Sequence, residues 1–339
     1  MKEDGQPTTH GGRDLETWRR IERVFSPSLA EKRSKLYGRG ERASRFIHYT
    51  SAENAFKIIN SREFWLRNVR CMNDHREVTH GCDSILRHLR DVDSRQRLAS
   101  AMHAIAPGAF ESALADFNKM TQEGHLELGT YIGSLSEHPN EEDKHGRLSM
   151  WREYGGKAGC VGIVLNIPRE SRAAADLGVA FSPVAYMDDD KVRGWLDDVA
   201  QRSMDELDFL RSLGVDGLRR AIVQMLVIAA TCMKHEGFSE EREWRLVHNP
   251  NLMHGTGLRA QFELIGGIPQ KVCCLPLGDG DRSDAESLAF SDLFERIIIG
   301  PTTYKFPILD SLVHALEAAG VRDPMGRISF SDIPLRGYA

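Results

Sequence analysis

A chain of 339 residues with 41% hydrophobic and 27% charged positions can bury a sizeable core, as one large domain or two, which excludes disorder as its overall state. Its net charge of -5 gives no global attraction to phosphate, so a nucleic-acid partner would have to meet a local basic patch. The six cysteines, Cys71, Cys82, Cys160, Cys232, Cys273 and Cys274, form no CxxC pair and stand at no zinc spacing from a histidine, which argues against a structural zinc.

The polar segment Met1 to Arg20 lacks the apolar core of a secretion signal, so a cytoplasmic location and reduced thiols are expected. The longest apolar stretch, Ala221 to Met233, is interrupted by Gln224 and Thr231 and falls short of the roughly 20 residues of a membrane span. It reads as a buried core helix, and no membrane partner is expected.

Met1 to Arg13 has the Gly, Thr and charge content of a frayed end. Leu15, Trp18, Ile21, Val24 and Phe25 then recur at helical spacing up to Ser26-Pro27. Residues 1–40 thus read as a tail with a short helix, ahead of a single α+β domain over 41–339. Phe46 to Thr50, Ala52 to Ile59 and Phe64 to Leu66 read as strand, helix and strand, followed by turn chemistry at Met72-Asn73-Asp74. A helical segment spans about 78–120, broken at Pro107-Gly108.

Gly129 to Ser136 alternates as a strand, and Cys160 to Ile167 is an apolar strand after a Gly-rich loop. Between them lie a charged loop, Glu137 to Arg147, and one helical turn, Leu148 to Tyr154. A second helical segment covers about 189–236. Strands return at Glu243 to Val247, Leu258 to Leu264, Val272 to Leu275 and Arg296 to Ile299, the last closed by Gly300-Pro301. Strands separated by helical blocks predict a mixed α+β fold.

The sequence has no GxxxxGK[ST] loop, strand-linked GxGxxG, GxSxG elbow or HExxH helix, which removes the usual support for ATPase, dehydrogenase, hydrolase and zinc-protease readings. His75, His80 and His88 with Asp74 and Asp83 are irregularly spaced, and no metal is expected there.

Three separated segments could carry chemistry. Period-two alternation puts Phe46, His48 and Thr50 on one strand face and Ile47 and Tyr49 on the other, so His48 and Thr50 can offer ring N–H and hydroxyl groups to a polyol. Trp151 and Tyr154, three apart on a helical turn, can present both rings to a planar group, with Ser134 and Ser136 on one strand face nearby in sequence. Read as a strand, Glu241, Glu243 and Arg245 point one way and Arg242, Trp244 and Leu246 the other. Taken alone, each segment also has a structural reading: a satisfied core histidine, aromatics covering the core, and a solvated Glu–Arg ladder.

The ordered set FIHYTSAENAFKII, YIGSLSE, MWREYGGKAGCVGIVL, SEEREWRLV and RIIIGPTT resembles a bacterial family related to abortive-infection proteins, which reads HYTS, CFS, WxxYG with a Gly-rich strand, ExEWR and a closing hydrophobic-G-P strand. The resemblance covers most of Arg45 to Tyr304, with Ser134-Leu135-Ser136 standing where that family has CFS. The HYT opening and its following helix are also similar to the start of ADP-ribosyltransferases, including those that modify nucleic acid. That second likeness implies mainly antiparallel sheets with helical insertions, and NAD as substrate without a metal. It also implies NAD ribose at His48 with Tyr49 and Thr50 beside it, nicotinamide on Tyr154 or Trp151, contacts from Ser134, Ser136 and Arg245, and Glu243 or Glu241 assisting glycosidic cleavage. A macromolecular acceptor, protein or nucleic acid, and an antitoxin or phage-defence partner would follow.

The leading expectation is therefore an NAD-consuming transferase or glycohydrolase, acting as a toxin or defence effector. The alternative is a catalytically silent nucleotide-binding or regulatory module on the same fold. A third reading, a nucleic-acid processing enzyme, draws only on Arg42, Arg45, Arg67 and Arg70.

Overall fold

Proline is tolerated at the first position of a helix, where its missing N–H leaves no hydrogen bond unmade. In the computed structural model, which describes residues 10–38, 43–72, 76–154, 159–169, 171–253, 255–278 and 288–334, Pro27 accordingly opens a helix rather than only closing one. Helix α1 (His10–Phe25) is followed at once by α2 (Pro27–Leu36). Val24, Phe25, Leu29 and Tyr37 are buried, and Trp195 Nε1 donates to the Phe25 carbonyl at 2.9 Å. Val24 to Tyr37 thus contribute side chains to the core that the rest of the chain builds. Residues 1–9, Arg42, the turn at Asn73-Asp74 and the glycines after Tyr154 lie outside the described residues.

The unit read as strand, helix and strand is β1 (Ala43–Ser51), α3 (Ala52–Ser61) and β2 (Glu63–Asn68). Ser51 caps α3 by accepting a hydrogen bond from the Asn54 N–H at 3.2 Å, and Arg62 ends it in the left-handed region. The first helical segment is α4 (Arg76–Arg90), α5 (Val92–Ile105), α6 (Ala109–Gln122) and α7 (His125–Gly129), with Gly108 at φ +83° supplying the break. Then follow β3 (Tyr131–Glu137), α8 (Leu148–Tyr154), β4 (Cys160–Pro168), α9 (Arg172–Asp176), β5 (Val179–Pro183) and β6 (Ala185–Tyr186). The second helical segment is α10 (Asp189–Asp205), α11 (Leu207–Ser212) and α12 (Gly214–Thr231). The chain continues through β7 (Met233–Lys234), β8 (Glu243–His248), β9 (Arg259–Ile265), β10 (Ile268–Pro276), α13 (Phe290–Leu293), β11 (Phe294–Ile299), α14 (Lys305–Ala318) and β12 (Ile328–Phe330).

Ten strands form one mixed, mostly antiparallel sheet in the order β12-β11-β4-β1-β3-β2-β10-β9, with β8 added to β3 and β5 added to β8. The fold is α+β. Its organising feature is β3. One edge pairs along its length with β8, from Tyr131↔His248 to Ser136↔Glu243. The other edge is divided: Tyr131 and Ile132 pair with Asn68 and Arg67 of β2, while Ser136 and Glu137 pair with Ile47 and Phe46 of β1. Between these pairings, Gly133 to Leu135 have no strand partner on that edge among the described residues, and β1 and β2 diverge as a fork.

Each sheet face buries its own core. Ile132 and Val247 face the layer formed by α4–α6, α10 and α12. Phe46, Phe64, Leu66, Leu135, Trp244 and Leu246 face the opposite layer with α3 and α14. Ile47, Tyr49, Trp151, Val164 and Ile298 form a smaller cluster where α8 covers β1 and β4.

Helices α4 and α12 approach closely, since a side chain at Gly81 would collide with the carbonyl oxygen of Ala230. Gly81→Ala is therefore expected to destabilise by about 1–3 kcal/mol, since backbone must move to admit the methyl group. Gly194→Ala on the open side of α10 should stabilise slightly, by up to ~1 kcal/mol. Thermal denaturation of both variants checks this pair, and equal melting temperatures would contradict the close packing.

Candidate functional site

Strand register sorts the candidate residues by face. Ile47 pairs with Ser136, which pairs with Glu243, and paired residues point to the same side. Alternation then puts Tyr49, Ser134, Ser136, Glu243 and Arg245 on the face covered by α8, and Arg67 joins them through its pairing with Ile132. His48 and Thr50 fall on the other face. The expected single cleft shared by His48, Tyr154 and Glu243 is corrected accordingly: the sheet stands between His48 and the carboxylate.

His48 is held at the fork. Its ring lies edge-on to Phe64 with centroids 4.7 Å apart, and Nδ1 lies 2.9 Å from the Ser134 carbonyl oxygen, so Nδ1 carries the proton and donates. Burial lowers its pKa to about 4, which keeps the ring neutral, and the Ser134 carbonyl opposes that shift only in part. Nε2 is left as an acceptor without a protein partner among the described residues. Thr50 is buried in the β1–β4 pairing.

Trp151 and Tyr49 serve the core rather than a ligand. Trp151 is 3% exposed, donates from Nε1 to the His145 carbonyl at 2.7 Å, and packs edge-on against Tyr49 at 4.8 Å. Gly146 and Gly300 admit the indole, because a side chain at either position would run into it. The Tyr49 hydroxyl accepts from the Arg147 N–H at 2.9 Å. Of the aromatic pair on α8, only Tyr154 is partly exposed.

The densest polar cluster lies on the α8 face around Glu243. Its Oε1 accepts from the Ser134 hydroxyl at 2.5 Å and from Arg245 Nε at 2.9 Å. Its Oε2 lies 3.1 Å from both Arg245 Nη2 and Lys234 Nζ. The Glu243 N–H donates to the Tyr186 hydroxyl at 2.8 Å, and Arg245 Nη1 donates to the Thr231 carbonyl at 2.5 Å. Burial alone would raise the carboxyl pKa, yet the two cations and the hydroxyl overcome it and lower it to about 2. Arg245, 2% exposed, is correspondingly held charged by Glu243. Ser136 is buried beside Glu243.

Glu241 is not on the strand with Glu243. It ends a 3-10 turn (Glu236–Glu241), and Arg242, at φ +44°, turns the chain before β8 begins. Lys234 Nζ nevertheless draws the two carboxylates together, 2.7 Å from Glu241 Oε2. Burial raises the Glu241 pKa, with Lys234 opposing it. Glu241 is partly exposed, and its Oε1 has no protein partner among the described residues. Tyr154 completes the arrangement: burial raises its pKa and the charges of Glu243 and Glu241 raise it further, while Arg67 on β2 senses the same phenol.

Lys234, Tyr186 and the Thr231 carbonyl are absent from the sequence-based candidates. A signal existed for Lys234, an isolated cation directly after the apolar run Ala221 to Met233. Of the basic set weighed for nucleic acid, Arg45 is committed to Asp143 and Glu295 and Arg67 to Gln270 and the Cys71 carbonyl, Arg70 is exposed, and Arg42 lies outside the described residues. His88 donates from Nδ1 to the Ser84 carbonyl one turn back, and His75 lies outside the described residues. No group that could hold a metal ion occurs among the described residues, and none of their helices is long and apolar enough to cross a membrane.

Fold and site together define an α+β protein with a forked antiparallel sheet and a lysine-bridged carboxylate pair beside the fork. A family model described as "Protein of unknown function (DUF2971)" matches residues 150–246, taking in Tyr154 and the Glu241–Arg245 segment but not His48 or Ser134. No curated protein and no solved structure matches the chain.

Removing the Glu243 charge leaves Arg245 and Lys234 buried against a neutral amide, so Glu243→Gln is expected to cost about 3–5 kcal/mol at neutral pH. The sign with pH is fixed by the lowered carboxyl pKa. Stabilisation is complete above the ordinary carboxylate value of 4.5 and is lost as pH falls toward about 2, as the folded carboxylate takes up its proton. Denaturant midpoints for the two proteins should converge over that window. A gap that stays constant would refute the assignment.

Proposed function

We propose that the chain is an NAD-consuming enzyme of ADP-ribosyltransferase type, with Glu241 rather than Glu243 as the carboxylate that meets the substrate. The observation that carries this reading is the opposite pKa shifts of Glu243 and Glu241, which Lys234 bridges beside a partly exposed tyrosine. Carboxylates whose environments push their proton affinities apart can divide electrostatic and proton-transfer work between them.

In this reading Tyr154 stacks the nicotinamide ring and the open Oε1 of Glu241 faces the ribose. Cleavage breaks the bond between ribose C1 and the ring nitrogen. The bonding electrons leave with neutral nicotinamide, and the sugar passes through an oxocarbenium-like state that a carboxylate stabilises. Water or an acceptor hydroxyl then adds at C1 and gives its proton to Glu241, whose raised affinity suits that step. Glu243 is a positioning residue: fully engaged by Arg245, Ser134 and Lys234, it holds Lys234 and thereby Glu241. Toxin or phage-defence activity, a macromolecular acceptor and a cytoplasmic setting belong to the same proposal.

One observation favours the silent module instead, namely that His48 and Glu243 lie on opposite faces, so no ligand group can touch both from one side. Incubation of the full chain with NAD, with and without protein or single-stranded nucleic acid, separates the two readings. Nicotinamide release is expected from the wild type, falling about 100-fold or more in Glu241→Gln. Binding without release would support the silent module. Full release by Glu241→Gln would overturn the assignment of that carboxylate.

A further inference from the structure

The other face of the same strands borders a cavity. A partly open space of about 170 Å³ lies between α1, α2, α9 and the sheet, walled by Leu29, Leu135, Leu246 and Leu275. A hydrocarbon-lined cavity of about 150 Å³ is known to stay dry and to bind benzene, so this space accepts an apolar body of roughly six to eight heavy atoms. Its walls are not wholly apolar. Among the described residues three arginines line it, Arg33 and Arg169 included, against a single carboxylate, Glu22.

Arg33 is fixed rather than free to swing. Its guanidinium sits 5.3 Å from the Trp244 ring centroid, and Nη2 donates to the Phe181 carbonyl at 2.5 Å and to Glu22 at 3.0 Å. These contacts leave Nε buried with no hydrogen-bond partner. Arg169 forms no ion pair among the described residues, and while burial pushes the Tyr37 hydroxyl's pKa up, both arginines lie near enough to oppose that shift in part. A buried donor without an acceptor, beside a second cation and against an apolar wall, is half of a recognition site: it calls for an acceptor-bearing anion attached to hydrocarbon.

We propose that this cavity binds a small amphipathic monoanion, a carboxylate with a short hydrocarbon body, its head at Arg33 and Arg169 and its tail against Leu135, Leu246 and Leu275. The site lies across the sheet from the Glu243 cluster and stands whether or not that cluster turns over NAD. An uncharged alcohol of the same length would bring no charge to Arg169 and a weaker acceptor to the Arg33 Nε, and an acid too short to fill the cavity would gain little from the leucine wall.

The test uses octanoate, octanol and acetate against the full chain by titration calorimetry and thermal shift. Octanoate is expected to bind saturably at one site per chain and to raise the melting temperature, with octanol about tenfold weaker and acetate without effect. Ala174→Phe, which fills the cavity from α9, should abolish octanoate binding. Arg169→Gln, at a side chain with no ion pair to lose among the described residues, should weaken it about fivefold or more while leaving the melting temperature of the free protein unchanged. Absence of saturable octanoate binding would overturn the proposal. So would octanol binding as tightly as octanoate, or octanoate binding retained by folded Ala174→Phe. If Ala174→Phe does not fold, Arg169→Gln decides the case alone, with unchanged affinity counting against the site.

Discussion

A guanidinium and a carboxylate can share a protein interior only when their remaining hydrogen-bonding positions are also met, because each has been taken out of water at a cost of several kcal/mol. Arg245 and Glu243 meet that condition by recruiting the rest of the domain. Glu243 takes the Ser134 hydroxyl from β3 and Lys234 from β7, its own N–H donates to Tyr186 of β6, and Arg245 reaches the carbonyl of Thr231 at the last residue of α12. The short β6–β7 pair is explained by this knot: two residues on each strand would form a weak sheet by themselves, but here they deliver Tyr186 to the Glu243 N–H and Lys234 to its carboxylate. The Thr231 bond also ties the end of α12 to β8.

The fork in β3 follows from the side chains around it. Gly133 is closely approached by the Phe64 ring, which occupies the place a Cβ would need. Phe64 in turn meets the His48 ring, and His48 satisfies the Ser134 carbonyl that no strand reaches. A backbone acceptor exposed by divergence of two strands is thus capped by an imidazole, and the burial this requires keeps the ring neutral. His48 has a structural duty that the sequence pattern alone could not separate from a ligand-binding one.

Local rules made much of the architecture legible in advance. Alternation located β1, β3 and β8, and periodicity located the helices on either side of Pro107-Gly108, since each signal depends on residues within one element. Alternation also placed Phe46, His48 and Thr50 on one side and Ile47 and Tyr49 on the other. Which of those sides would meet Glu243 depends on the register of β1 and β8 against β3, a relation between segments some 90 to 200 residues apart. Trp151 failed as a ligand wall for a similar reason. Helical spacing put it with Tyr154, but Gly146, in the loop before α8, and Gly300, far along the chain, open the slot that buries its ring. The sheet-extending strands β5 and β12 and the pair β6–β7 carry too few residues for any period to register.

The relation between Glu241 and Glu243 is the point at which local reading came nearest and still missed. An i, i+2 pair on a strand would place both carboxylates on one face, where like charges repel and neither is singled out. Arg242 prevents this by adopting φ +44°, a conformation that costs a non-glycine residue of order 1–3 kcal/mol and that persists only where its surroundings enforce it. The surroundings are visible: Trp244 Nε1 donates to Glu137 immediately beyond the turn, the Glu241 carbonyl accepts from Arg147 just before it, and the Arg242 carbonyl accepts from the Glu137 N–H. With the turn clamped on both sides, Glu243 is committed inward to the ion-pair knot while Glu241 is left at the edge of it, one oxygen tied to Lys234 and the other open. Two identical side chains two residues apart thereby acquire opposite proton affinities from backbone geometry, and the open one is the carboxylate on which substrate chemistry would depend.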